Sequence, residues 1–138
     1  MTLPEIRLLL DSSMVVLIWM IQLIVYPSFK YCNKEHLVSW HQKYSNRLAG
    51  IVIPLMLGQL VISIYQLYAT INYDRVIYAL FVWSLWISTF LIFVPLHKTI
   101  ASGNSTSIHL KQLVRKNWLR TILWSLLFLY SLYFQLSI

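Results

Sequence analysis

Four histidines are the residues of this chain best suited to chemistry: His36, His41, His97 and His109. An unperturbed imidazole titrates near pH 6.5, so it can exchange protons or, when neutral, ligate a metal. Around them stand Lys30, Lys34, Lys43, Arg47, Lys98, Lys111, Arg115, Lys116 and Arg120, with Glu35 the only acidic residue in the same stretches. Glu5, Asp11 and Asp74 lie elsewhere, in the company of Arg7 and Arg75. Such a surplus of cations and imidazoles must be neutralised by lipid phosphate, backbone carbonyls or an anionic ligand.

Helical phase arranges these residues further. On a wheel of about 100° per residue, Leu37, His41, Tyr44, Leu48, Ile51 and Leu55 share one stripe, opposite Ser39, Gln42, Lys43 and Asn46. His41 and Tyr44 are therefore expected to face a bundle interior, with Arg47 at the border. A second stripe carries His109, Leu113, Lys116, Arg120 and Leu127, with Asn117 beside it. His97 follows Pro95 at a helix end where the proline deprives the Leu91 carbonyl of its donor. In an antiparallel bundle His41, His97 and His109 would meet, as metal ligands or as general acid–base groups. Arg47, Lys116 and Arg120 would bind the anionic part of a ligand, and Tyr44 and Asn117 would orient it. Haem or a transition metal is the cofactor such a set could hold. No spacing among the histidines is a metal motif, and each feature also fits a plainer role. Interfacial helices place polar groups against headgroups, and a proline bends a helix end.

The elements that must position these groups are plain. Of the 138 residues, 59% are hydrophobic and only 11% charged, against about 25% charged in soluble domains. Four apolar runs, at about residues 8–27, 48–71, 76–97 and 118–138, each exceed the length needed to cross a bilayer. The expected fold is all-α, a single domain over 1–138, an integral membrane antiparallel four-helix bundle. A soluble enzyme fold and a disordered chain are excluded. There is no Gly-rich phosphate loop, zinc-type cysteine spacing or nucleic-acid motif, and Cys32 stands alone. Pro27 is expected to end the first span, and Asn72 to Arg75 to form a tight turn. Gly103 and Asn104 form another turn, with Ser105 to Ser107 capping a helix that starts near Ile108. Gln22 and Gln59 are expected to hydrogen-bond between helices. Asp11 sits near a membrane surface, and no ionisable residue stands at mid-membrane, which argues against a transporter. No internal repeat is evident. The first span has no cleavage site after it and is expected to be retained.

The placement of basic residues sets an orientation. The two connections at about 28–47 and 98–117, together with Arg120 just beyond the second, hold all the lysines and arginines except Arg7 and Arg75. They are expected to be cytoplasmic, with both termini outside the cell (inner) membrane. The partners implied are the lipid bilayer, anionic lipid headgroups, a hydrophobic anionic small molecule and a further copy of the chain in a homo-oligomer. Nucleic acid is not among them.

The segments IVYPSF, WHQKYSNRLAGIVIPLM, VPLHKTIASG and HLKQLVRKNWLRTILW together resemble a family of small bacterial four-span membrane proteins. The resemblance covers nearly the whole chain. It carries over Tyr26, Pro27, His41, Arg47, Pro54, Pro95, His97, His109, Asn117, Trp118, Arg120 and Thr121 as family positions. It also implies an acidic residue near the place of Gln59, which this chain lacks. It implies a fold and no particular reaction. More distantly, the architecture is similar to the HemJ-type protoporphyrinogen oxidases, which use a tetrapyrrole, and to the anthrone-oxygenase-like family. The expected function is a cofactor-dependent oxidoreductase acting on a lipophilic or tetrapyrrole-like anionic substrate. The alternative is a non-catalytic accessory or scaffold protein that binds anionic lipid or a membrane partner.

Overall fold

The computed structural model describes residues 1–137. Four helices account for nearly all of them: α1 (Leu3–Tyr31), α2 (Lys34–Ala69), α3 (Tyr73–Ala101) and α4 (Ser107–Leu136). Each is long and apolar enough to cross a membrane. Side-chain contacts show that they alternate in direction. At one end, Arg7 of α1 meets Asp74 of α3 and Ser131 of α4. At the other, Tyr26 of α1 and His41 of α2 both reach His97 of α3.

The non-helical connections are short. Residues 32–33, 70–72 and 102–106 join the helices, and most of the polar stretches at 28–47 and 98–117 are helical. Local chemistry explains each start. The Thr2 amide donates to Glu5 Oε2 at 2.8 Å ahead of α1. Asn72, expected inside a turn, instead accepts from the Arg75 amide at 2.9 Å and caps α3, so Tyr73 to Arg75 are its first helical turn. Thr106 caps α4 together with His109, whose Nδ1 accepts from the Thr106 amide at 3.0 Å. Gly103, at φ +79°, makes the preceding turn.

Pro27 does not end α1, which continues to Tyr31. A π turn at Ile21–Val25 precedes it, closed by the Tyr26 amide on the Ile21 carbonyl. The same device stands at Thr89–Phe93 before Pro95, closed by Val94 on Thr89. A proline lacks the donor for the carbonyl four residues back and clashes with it. Here those carbonyls, of Leu23 and Leu91, lie inside the widened turns. The two π turns stand at one constant spacing in sequence. At that same spacing lie Arg7 and Arg75, Lys30 and Lys98, His41 and His109, Lys43 and Lys111, Arg47 and Arg115, and Ser63 and Ser131. Contrary to expectation, the chain is an internal repeat in which the α1–α2 hairpin recurs as α3–α4.

The surface is apolar and the interior partly polar. Val16, Ile24, Val61, Leu91 and Leu129 are exposed, while Asp11, Gln22, Gln59, Asn117 and Thr121 are at most 2% exposed. Met14, Ile18, Tyr78, Val82, Leu113 and Leu127 fill the space between them. Gln22, on the first π turn, ties α1 to α4. Its Nε2 donates to the Val114 carbonyl at 3.1 Å, and its Oε1 accepts from Asn117 at 2.9 Å and Thr121 at 3.1 Å. Gln59 is likewise an interhelical crosslink, to Asp11 and Trp124.

Gln22→Leu should therefore leave the Asn117 amide unpartnered and remove the second donor of the Val114 carbonyl, whose helical bond remains. The expected loss is about 2 kcal/mol, above the average of about 0.6 kcal/mol for one interhelical hydrogen bond in a membrane. Reversible unfolding in mixed micelles would measure it, and a loss near the average would show that water or backbone replaces these contacts.

Candidate functional site

The end of the bundle opposite the termini gathers a small polar cluster. The first turns of α2 carry His41 inward, 2% exposed, and the last turns of α3 carry His97. His41 Nε2 and His97 Nδ1 are 2.7 Å apart, one donating and the other accepting. The rings are near-parallel, with centroids 5.0 Å apart. His97 Nε2 lies 3.2 Å from the Tyr26 hydroxyl, and Ser45 Oγ lies 3.3 Å from His41 Nε2. Phe29 packs its edge on His41, which holds the ring in place. The result is a line of exchangeable protons, Tyr26–His97–His41–Ser45, drawn from three helices.

Beside this line α4 places Arg120, 5% exposed. Its guanidinium sits 4.2 Å from the centre of the Phe93 ring and 5.1 Å from that of Trp124. Its Nε has no hydrogen-bond partner. Among the described residues the single Lys or Arg ion pair is Arg7–Asp74, at the other end. Arg120 is thus a buried cation resting on aromatic faces, without a carboxylate. Aromatic faces are worth about 2 kcal/mol to a desolvated cation, while burial of an unpaired charge costs several. A bound anion would supply the balance.

A cavity of about 500 Å³ adjoins the cluster, between α2 and α3. Tyr26, His97 and Arg120 form its polar end, and Val52, Met56, Phe93 and Val94 its apolar wall. Ile53 and Phe90, on its rim, are about half exposed. The cavity therefore opens sideways onto the apolar surface of the bundle.

The expected residues fall into two groups. His41, His97 and Arg120 come together as anticipated. His109 does not join them, because it is spent on the Thr106 cap. Among the described residues no group of three or more His, Cys, Asp or Glu converges on a point. The expected three-histidine metal centre is not assembled. Tyr44 is half-buried and packs on Trp40, ring centroids 4.3 Å apart, rather than facing the site. Arg47 and Lys116 are exposed. Asn117 is fully buried, but against Gln22.

The structure adds Tyr26, Ser45, Phe29 and Phe93 to the site. A tyrosine preceding a proline at the histidine end was the available signal for Tyr26. The structure also shows Asp11 enclosed by the other three helices, 0% exposed. Gln59 and Tyr78 donate to its Oδ1 at 2.7 and 2.9 Å, and Ser131 to its Oδ2 at 2.6 Å.

The repeat shows why the site exists once. Where the first hairpin has Tyr26, the second has Val94, and the places equivalent to His97 and Arg120 are Phe29 and Val52. The counterpart of His41 is His109, which faces no second imidazole position and has become a cap. In comparisons with family models, curated proteins and solved structures, nothing matches the chain.

His109→Ala should remove a helix cap and cost about 1 kcal/mol, while the ring-nitrogen NMR resonances of His41 and His97 stay where they are. His97→Gln should shift the His41 resonance. Movement of the pair in the first variant would make His109 part of the site.

Proposed function

We propose that this chain is a multi-pass protein of the cell membrane. Its lateral cavity takes the head of a lipophilic anion, and its Tyr26–His97–His41 line exchanges protons with that head. The exposed lysines and arginines at the histidine end support a cytoplasmic placement of the site, with the termini outside. The observation that carries the reading is Arg120, buried without a carboxylate at the polar end of a cavity whose remaining wall is mostly apolar. Arg120 would bind the anionic group, and the apolar wall would hold the hydrophobic body. A tetrapyrrole-like or other large lipophilic acid fits this pairing of features.

The chemistry these side chains can supply is acid–base. With His97 Nδ1 and His41 Nε2 sharing a proton, the Tyr26 hydroxyl can give a proton to the bound molecule and be recharged from behind. An oxidoreductase would also need an electron-accepting group. Haem held between two imidazoles does not fit, because the facing nitrogens are engaged with each other at 2.7 Å. Only His41 Nδ1 is without a partner, so one ligand at most is free. The acid–base role therefore stands ahead of metal ligation. The second reading, an accessory protein that docks on anionic lipid, is favoured by the exposed Lys43, Arg47, Lys111 and Arg115, none of which has an acidic partner.

Mass spectrometry of molecules co-purified in mild detergent from the native membrane is the direct test. An anionic amphiphile should accompany the wild-type chain and fall at least tenfold in Arg120→Met, as expected for about 1.5–3 kcal/mol of charged hydrogen bonding. Arg47→Gln and Lys116→Gln should stay within about twofold, because those side chains lie outside the cavity. Equal loads in wild type and Arg120→Met would sink the reading. A Soret band or stoichiometric metal lost in His41→Ala would restore the cofactor reading. Against a substrate so identified, His97→Gln should lower kcat by about 10²–10⁴ with little change in KM.

A further inference from the structure

We propose that anion capture at Arg120 is coupled to uptake of one proton at Asp11, from the end of the bundle that carries the termini. The proposal rests on the anion-binding reading above. Every helix packed around Asp11 turns a polar group toward it: Gln59 of α2, Tyr78 of α3 and Ser131 of α4, at 2.7, 2.9 and 2.6 Å. On its own helix the nearest charge is Arg7. That guanidinium brackets the Asp74 carboxylate at 3.1 and 3.2 Å and donates through Nε to Ser131 at 2.9 Å. It also lies over the Tyr78 ring at 3.9 Å, with Tyr130 beyond at 5.7 Å.

Arg7 and Asp74 cancel. Among the described residues, Asp11 and Arg120 are then the two buried formal charges without a matching ion. A chain of contacts joins them. Asp11 touches Gln59, Gln59 Oε1 accepts from Trp124 Nε1 at 3.2 Å, and Trp124 lies against Arg120. Along α4, Ser131 and Arg120 are separated by roughly 16 Å of helix rise. A positive charge at that distance favours the ionised form of the carboxyl group. An anion seated on Arg120 removes this attraction. Asp11 then holds a proton more readily, and the interior again carries no net charge.

The proton has a route. A cleft of about 340 Å³ at the terminal end is lined by Arg7, Asp74, Gln66 and Ser131. Gln66 is 4% exposed and its Oε1 has no partner, which makes the cleft a place for water. Ser131 Oγ lines the cleft and touches Asp11 Oδ2. It can pass its own proton to the carboxylate as it takes one from water, so the transfer balances.

The test uses the full chain in a neutral detergent, with decanesulfonate as the anion because its head stays ionised and takes no proton. Calorimetry in two buffers of different ionisation heat reads the protons taken up per anion bound. Wild type should take up a fraction of a proton, and its affinity should rise as pH falls. In Asp11→Asn most of that uptake should disappear. Uptake that persists in Asp11→Asn places the proton on the imidazoles and overturns the coupling, while the anion site survives. Failure of wild type to bind, or binding that Arg120→Met leaves intact, removes the anion site and the coupling together. A readout without ligand covers the case in which Asp11→Asn fails to fold. The infrared carboxylic-acid band of Asp11 should reach half-height at a higher pH in Arg120→Met than in wild type, and return in Arg120→Lys. Identical titrations in the three proteins would overturn the coupling.

Discussion

Polar atoms inside a bundle with an apolar surface have only one another to bond. In lipid the apolar faces gain little by meeting, because acyl chains are as apolar as leucine. What distinguishes one rotation of a helix from another is then packing and the satisfaction of interior polar groups. Asp11 draws a donor from each of the other three helices. Gln22 fixes α1 against α4, and the His41–His97 contact fixes α2 against α3. These crosslinks stand at successive levels from one end of the bundle to the other. Close approach makes the first of them possible: a Cβ at Gly58 would lie 3.0 Å from a Leu10 methyl, beside the Asp11–Gln59 contact.

The same constraint decides what could be read from the sequence. The four helices follow from length and apolarity, and the start of α4 follows from the turn at Gly103 and the cap that comes after it. Faces were harder. A wheel seeks the apolar stripe and turns it inward, as in a soluble protein. Here Ile51, on the stripe assigned to the interior, is 54% exposed. Lys116, on the second stripe, is exposed, while its neighbour Asn117 is buried. Arg120 and His41 were placed correctly because their rows also carry Leu113, Leu127 and Leu37, which do pack inside. The partners of Asp11 were not legible, because they lie on three other helices. Only the third dimension shows Ser131 and Tyr78 closing over it.

The repeat was hidden for a related reason. Apolar positions in membrane helices match almost any apolar partner, so the informative identities are few and scattered. They become legible once the two π turns give a register. The identities include Lys30, His41, Lys43 and Arg47 at one end, each with its counterpart in the second hairpin. The interior matches far less: Asp11, Gln22 and Gln59 correspond to Ala79, Phe90 and Leu127. The shared residues keep both hairpins in the same orientation, and the divergent ones hold the chemistry. A π turn adds a residue to a helix and rotates everything beyond it, which re-aims side chains at functional sites. In α3 the residue so re-aimed includes His97. In α1 it includes Tyr26, and the two meet at 3.2 Å.

Whether Arg120 serves a ligand or only the fold turns on magnitudes. The gain on Phe93 and Trp124 falls short of the several kcal/mol that burial of an unpaired charge costs. A structural role alone would be met more cheaply by methionine or leucine, since replacing buried ions with packed apolar side chains is often stabilising. Tyr26 makes the same point. Its ring could be phenylalanine for packing on Phe29, yet its hydroxyl meets His97 at the polar end of a cavity that opens onto the bundle surface. A guanidinium, a hydroxyl and a pair of imidazoles gathered at one end of an apolar cavity satisfy one another incompletely. Arg120, which lines the cavity and has no carboxylate, keeps the capacity that a bound anion would use.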